Sequence, residues 1–416
     1  MLMLNRLLAS LFAMASLSTP ALAAATDEPS PAGQVPDPAV AYTADPALRK
    51  VLIRELYVEG NTVLNSDVVS EILGRYLGRD AGYEELQQLR NELTQAYIAR
   101  GYVNSGVLLP DQEVTNGVVT LTAIEGTLNA VELQGNDHLR SAYLEKRLRA
   151  ELNGVFNVQD LERGLRLMQQ QPLIEQVNAE LLPGSERGTS VLDLRVRERD
   201  AFILAAGYDN HRAPSVGEDH FTVSASHQSL TGNADVFNAT YGYADGADDW
   251  SVAYSLPLTA RDLTVGAYYS KGNSDIVEAP FNELDIVTET QTWGLSIQRP
   301  IVRTLSQTLI GGLGFEYKES QSTLLNAPFS FSPGEQAGQA NAAIFQVFAD
   351  WTLRREVDAL AGRATIRQGV DLLDATINSG DLPDSEFTTL LVQTQYARRL
   401  PFWGAQFLAR FTGQLT

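Results

Sequence analysis

Phe221-Thr222-Val223-Ser224-Ala225-Ser226-His227-Gln228 and Trp250-Ser251-Val252-Ala253-Tyr254-Ser255-Leu256 decide the architecture of this chain. Side chains on a strand alternate between faces with period two. Phe221, Val223 and Ala225 therefore share one side, and Thr222, Ser224, Ser226 and Gln228 the other. In the second stretch Trp250, Val252, Tyr254 and Leu256 oppose Ser251, Ala253 and Ser255. The same pattern recurs in about eleven segments between Phe202 and Thr416. One apolar and one polar face, repeated behind a secretory signal, predict an antiparallel β-barrel in an outer membrane, greasy toward lipid and wet toward the lumen. Asn210–Asp219, Asn273–Asp285 and Glu319–Ala342 read as long polar loops on one rim. Pro257–Asp262 and Gln298–Ser306 read as tight turns on the other. Among the segments, Val287–Gln298, Thr308–Lys318 and Ile344–Leu353 match the roughly 9–11 residues that a spanning strand needs.

Working outward from the barrel, residues 1–23 read as a signal peptide. Asn5 and Arg6 begin it, Leu7 to Leu17 form its apolar run, and Ala21-Leu22-Ala23 supplies small residues for cleavage. That run is too short to cross a bilayer as a helix, and no other stretch reaches the required length. Residues 24–50 contain Pro29, Pro31, Pro36, Pro38 and Pro46 and read as a Pro-rich linker. The formal charge of −20 argues against nucleic acid, whose phosphates need a basic stripe. The chain has no cysteine, which excludes disulfides, thiolate catalysis and cysteine metal sites.

Between linker and barrel, one order of elements occurs twice. Leu52–Val58 reads as a strand ending at Gly60-Asn61-Thr62. Ser66–Leu77 is a helix that Ser66 or Asn65 could cap. Tyr83–Arg100 is a second helix, striped with Leu86, Leu89, Leu93 and Tyr97 and ended by Gly101. Tyr102–Leu109 and Gly117–Ile124 follow as strands. Leu128–Gln134, Gly135-Asn136, two helices at Leu139–Ala150 and Val158–Gln170, and strands at Leu173–Leu182 and Ser190–Arg197 repeat the plan. The expectation is a multidomain α+β plus all-β chain: two tandem βααββ units, 51–126 and 127–200, followed by a barrel over 201–416.

Gly60-Asn61-Thr62, Thr94-x-x-Tyr97-x-x-x-Gly101-Tyr102-Val103, Leu109-Pro110-x-Gln112, Gly117 and Glu125-Gly126 resemble the POTRA signature of two-partner secretion transporters. These form a branch of the Omp85 superfamily that exports haemolysins and filamentous adhesins. Gly188-x-Ser190-x-Leu192 resembles the same family's second POTRA domain. The resemblance implies periplasmic POTRA domains, a barrel in the outer membrane, and export of one unfolded exoprotein partner without ATP or cofactor. It also implies lipid around the barrel and barrel assembly machinery during biogenesis. Its barrels have roughly sixteen strands, an even number as usual, and an inward loop with a Val-Arg-Gly-Tyr-type tip. Eleven strands, the missing tetrapeptide and the ending Phe411-Thr412-Gly413-Gln414-Leu415-Thr416 read as a C-terminally truncated barrel; a complete barrel of ten or twelve strands is the alternative.

The signature residues also have local reasons: Gly60 and Asn61 tolerate left-handed backbone at the strand-to-helix turn, Gly101 ends a helix, and Pro110 blocks strand pairing beyond Leu109. A mainly structural role is therefore the expectation for them, with client-binding residues unassigned. His138, His211, His220 and His227 are too scattered for a metal site, and Asp245, Asp248 and Asp249 lack the alternating oxygens of a Ca²⁺ loop. No nucleophile elbow, zinc motif or phosphate loop occurs, so no catalytic, metal or cofactor residue is assigned. Two further readings remain: an Omp85-type assembly factor that inserts outer-membrane proteins, and a barrel enzyme or passive porin.

Overall fold

The computed structural model describes residues 50–416; the signal peptide and all of the linker but Lys50 lie outside the described residues. The first α+β unit runs β1 (Val51–Leu52), β2 (Glu55–Glu59), α1 (Ser66–Gly74), β3 (Asp80–Ala81), α2 (Tyr83–Ile98), β4 (Gly106–Leu108) and β5 (Val118–Ile124). The second has β6 (Thr127–Gln134), α3 (Ser141–Arg149), α4 (Val158–Gln169), β7 (Ile174–Pro183) and β8 (Thr189–Glu198). Each sheet has its last strand at the centre, in the orders β2-β5-β4 and β6-β8-β7. The first and last strands pair in parallel, which two intervening helices make possible by carrying the chain back across the sheet.

Each unit has its own core. The α2 stripe buries Leu89, Leu93 and Tyr97 against Leu121 and Val107, while α1 adds Ile72. In the second unit Leu144, Leu148 and Met168 pack on Leu192 and Leu194. Asn65, rather than Ser66, caps α1, its side chain accepting from the Asp67 amide at 3.1 Å.

The first expected strand is interrupted. Ile53, almost fully buried, donates its amide to Arg79 O and accepts from Gly78 N, so the chain there pairs with the α1–α2 connection instead of β5. The expected Tyr102–Leu109 strand shrinks to Gly106–Leu108. A turn closed by Ser105 N to Tyr102 O at 3.1 Å takes up its first half.

The barrel region is one meander of eleven long strands, β9 (Phe202–Asp209), β10 (His220–Gln228), β11 (Val236–Ala244), β12 (Ala247–Pro257), β13 (Thr264–Asp275), β14 (Val287–Arg303), β15 (Gln307–Leu324), β17 (Gln339–Arg354), β18 (Asp358–Val370), β19 (Thr388–Arg399) and β20 (Gln406–Leu415). The two-residue β16 (Ala327–Pro328) pairs with β15 off this path. Every neighbouring pair is antiparallel, and β9 and β20 stand at the two ends of an open sheet.

Residues paired across strands share a face. One register row joins Val223, Tyr241, Trp250 and Lys271, and farther along Ile297, Leu313 and Val347 share the same side. Trp250 stacks against Tyr269 and Phe315 against Phe345, each with ring centroids 5.0 Å apart. The opposite face carries Thr222, Ser224 and Ser251, and ion pairs such as Arg363 with Asp350 at 3.5 Å. The central strands are longer than expected: β14, β15 and β17 have 17, 18 and 16 residues. Their polar arms, Ser320 to Thr323 against Val287 to Thr290, are held by backbone hydrogen bonds that need no apolar side chain. The expected long loop at 319–342 thus narrows to residues 325–338, and the turn at 298–306 to residues 304–306.

This two-faced surface has a direct test. Leu313→Arg places a charge on the apolar face and is expected to cost about 2–4 kcal/mol in urea unfolding from lipid vesicles. Gln346→Arg, on the wet face, should stay within about 0.5 kcal/mol of the parent. Equal losses for the two would refute the assignment of faces.

Candidate functional site

One network closes the first turn of each unit, a second group of residues joins the two units, and a third joins the second unit to the barrel. At the first turn, Glu125, directly after β5, accepts from Thr62 N at 2.6 Å, Val63 N at 3.1 Å and Tyr97 Oη at 3.2 Å. It also accepts from Thr62 Oγ1. Tyr97 Oη lies 2.8 Å from Asn61 Oδ1, and the Asn61 side chain bonds Leu64 N and O. Burial pushes the Glu125 carboxyl upward, but its hydrogen bonds from the Thr62 side chain, the Thr62 and Val63 amides and Tyr97 outweigh this and hold it below the usual range. The Tyr97 hydroxyl is pushed up by burial and by the Glu125 charge. Four signature residues, separated by up to 64 positions, thus form one network.

The second unit repeats this device. Glu198, the last residue of β8, accepts from His138 N at 2.7 Å and Leu139 N at 3.0 Å, and Asn136 Nδ2 donates to Leu139 O at 2.7 Å. Sequence reasoning passed over Glu198. The repeat of Gly60-Asn61 as Gly135-Asn136, each with a Glu at or just past the end of the unit's last strand, was the available signal.

Other signature residues shape the joint between units. Gly101 has φ +90°, and a Cβ there would sit 2.6 Å from Asn157 Oδ1, so glycine permits both the helix end and the close approach. Gly101 O accepts from Val158 N at 2.9 Å, and Gly126 O from Phe156 N at 2.7 Å. Tyr102 packs edge-on against Tyr97. Gly117 O accepts from the amides of Arg54 and Glu55 as β2 begins. Pro110 lies just beyond β4, where its carbonyl accepts from Gln112 Nε2 at 3.3 Å. Gln112 does something unforeseen: its side-chain amide donates to Thr120 O at 2.7 Å and accepts from Thr120 N at 2.9 Å. It continues the β4 side of the ladder past the proline.

The third group joins the second unit to the barrel. Arg147 of α3, only 5% exposed, forks onto Asp262 in the β12–β13 turn, with Nη2 to Oδ2 at 2.7 Å, and Arg303 at the end of β14 binds the same carboxylate. Arg147 also donates to Tyr143 Oη at 2.9 Å. Arg140 N donates to Gly232 O at 2.9 Å, and Ser229 Oγ to His138 O at 3.0 Å. The turn that offers Gly232 is closed by fully buried Asp235, which accepts from Thr231 N at 2.9 Å and from Tyr254 Oη at 3.0 Å. Under this contact lies a cavity of about 340 Å³. Among the histidines, His220 faces Asp209 at 3.3 Å and Arg212 at 2.9 Å on the long-loop rim. Asp248 and Asp249 lie in β12 there, beside Asp245 of the turn.

Residues 51–126 match the POTRA domain of ShlB type. Residues 188–416, more than half of the chain, match the haemolysin secretion/activation protein family ShlB/FhaC/HecB. The chain belongs to that family. It is an outer-membrane protein with its POTRA domain in the periplasm, which makes the rim of short turns periplasmic and the rim of long loops extracellular. The outer membrane transporter CdiB of Dickeya dadantii (strain 3937) is 25% identical over 358 residues, covering 83% of this chain and 61% of that protein. The hemolysin transporter protein ShlB of Serratia marcescens is 22% identical over 371 residues, covering 85% and 62%. The chain therefore spans about three-fifths of the length of these curated relatives. The solved CdiB from Escherichia coli has the same fold, with a TM-score of 0.63 at 21% identity over 91% of this chain and 70% of that one. CdiB from Acinetobacter baumannii gives 0.56 at 16% identity, over 99% and 75%.

Proposed function

We propose that this chain captures an unfolded exoprotein in the periplasm and exports it through the barrel, as a two-partner secretion transporter that uses neither ATP nor a cofactor. The observation that carries this reading is the pair of sheets with open edges ahead of the barrel. Among the described residues β2 has no strand on its outer side, and Tyr57 on it is half exposed. An edge of this kind adds an extended segment through main-chain hydrogen bonds, with little demand on sequence. The opposite edge is blunted, because Val107 N of β4 already donates to Thr94 Oγ1 at 3.0 Å. Family membership and the names of its relatives, transporters of hemolysin and of heme/hemopexin, support a haemolysin- or adhesin-like client. The wet inner face supports passage of polar backbone, with client folding outside as the drive. Outer-membrane lipid and the barrel assembly machinery complete the proposed partners.

The test is export in a bacterium making the full chain together with a candidate exoprotein. Appearance of that protein in the medium, and its retention when Val58→Pro removes an amide that the parallel β2–β5 register turns outward, is the expected result. Equal release with and without the chain would overturn the reading.

A further inference from the structure

The cavity beneath the second unit opens onto the wet face of the sheet. Gln228, Ser255, Thr264, Gln298 and Ile310 line it. Gln228 pairs with Val236, which pairs with Ser255, and Thr264 pairs with Gln298, so the register places these residues on the lumen side. The roof comes from the second unit, from Arg147 of α3 and from residues 170–173 after α4. The cavity thus spans the boundary between the periplasmic domains and the pore. Its volume falls in the range of sites that hold a ligand.

Apolar side chains such as Leu173, Val236, Pro257 and Ile310 make up much of the lining, with a few polar groups set among them. Arg147 and Arg303 share the one carboxylate of Asp262 at its margin, and the cavity floor away from them carries no charged side chain. The side-chain amides of Gln228 and Gln298, both half-buried, make no hydrogen bond among the described residues. A primary amide offers two donors and a two-lone-pair acceptor, the complement of a peptide group. Hydroxyls of Ser255 and Thr264 stand between them in the register. Neutral groups that both donate and accept suit a main chain of any sequence, where a fixed charge would select one side chain.

We propose that this cavity is the handover site at which an extended polypeptide, held through its backbone amides by Gln228 and Gln298, passes from the second periplasmic unit into the lumen. The proposal rests on the export reading above. It assigns the occupant as unfolded main chain, not an ion or a small molecule.

Photo-crosslinking on the full chain in lipid vesicles tests this. Benzoylphenylalanine replaces Ser255 on the cavity floor, Tyr57 on the β2 edge, or Phe345 on the lipid face, each in its own variant. The probe is a synthetic unfolded polypeptide of Asn, Ser, Thr and Gly. Crosslinks from positions 57 and 255 but not 345 are expected. Gln228→Leu with Gln298→Leu, which keeps the volume and removes both amides, should lower the yield at 255 by about five-fold or more while leaving that at 57 unchanged. Crosslinking at 57 without crosslinking at 255, or a yield at 255 indifferent to the leucines, overturns the handover site and leaves capture standing. No crosslink at either position overturns both.

Discussion

Asp262→Ala is expected to release the second unit from the barrel mouth. The substitution strands two guanidiniums, Arg147 and Arg303, that now share one carboxylate. Breaking a buried pair by deleting one partner typically costs about 3–5 kcal/mol, because the remaining charge has left water without a counter-charge. Arg147 is the more affected. Tyr143 Oη remains beside it, but a phenol is a weak substitute for a carboxylate. The reporter is the Arg140 amide, which donates to Gly232 O across the same joint. Hydrogen exchange of the full chain in detergent should show protection in the segment around Arg140 falling by about 100-fold or more. Arg147→Met, Asp262→Leu and Arg303→Met together should recover much of that protection, since replacing every member of a buried ion cluster by apolar groups is often neutral. Unchanged exchange in Asp262→Ala would mean that the ion triad does not hold the joint.

Glu125→Ala should unfold the start of the first unit at a cost of about 2–3 kcal/mol or more, since two amides, a hydroxyl and a phenol lose one charged acceptor at a partly exposed site, where water replaces part of each bond. Tyr97→Phe removes a single member and should cost about 1 kcal/mol. The network also predicts an acid response. The folded carboxyl of Glu125 lies below its ordinary value, so its stabilisation is fully present above the unfolded value of roughly 4.3 and is lost as pH falls through the folded value. Exchange in residues 60–75 of the full chain should therefore accelerate on acidification below about pH 4 in the parent. In Glu125→Gln this dependence should flatten. An identical acid profile in both would assign the effect to other carboxylates.

Both predictions concern contacts that local patterns could not show. Glu125 was legible only as the end of a strand before the next domain, yet its carboxylate reaches back to Thr62 and Val63. Gln112 was legible as part of a signature, but its use as a stand-in for a strand residue depends on where β5 lies. Asp262 was one residue of an expected tight turn, and nothing in its neighbourhood pointed to Arg147, which is 115 positions away.

What the residues alone determined is everything governed by periodicity: the period-two faces of the barrel, the helical stripe of α2, and the tandem order of elements. Those features repeat every two to four residues, so each is written several times over in its own segment. The resemblance then supplied the family from short motifs in a fixed order. What only the tertiary structure decided is pairing between distant groups. This covers the Glu125 and Glu198 networks, the glycine approach at the joint between units, the Arg147–Asp262–Arg303 triad, and the amide-lined cavity beneath it. Charged and amide side chains have no periodic signature. Each finds its partner only after the cores of the units and the register of the sheet have brought separate stretches of chain within hydrogen-bonding distance.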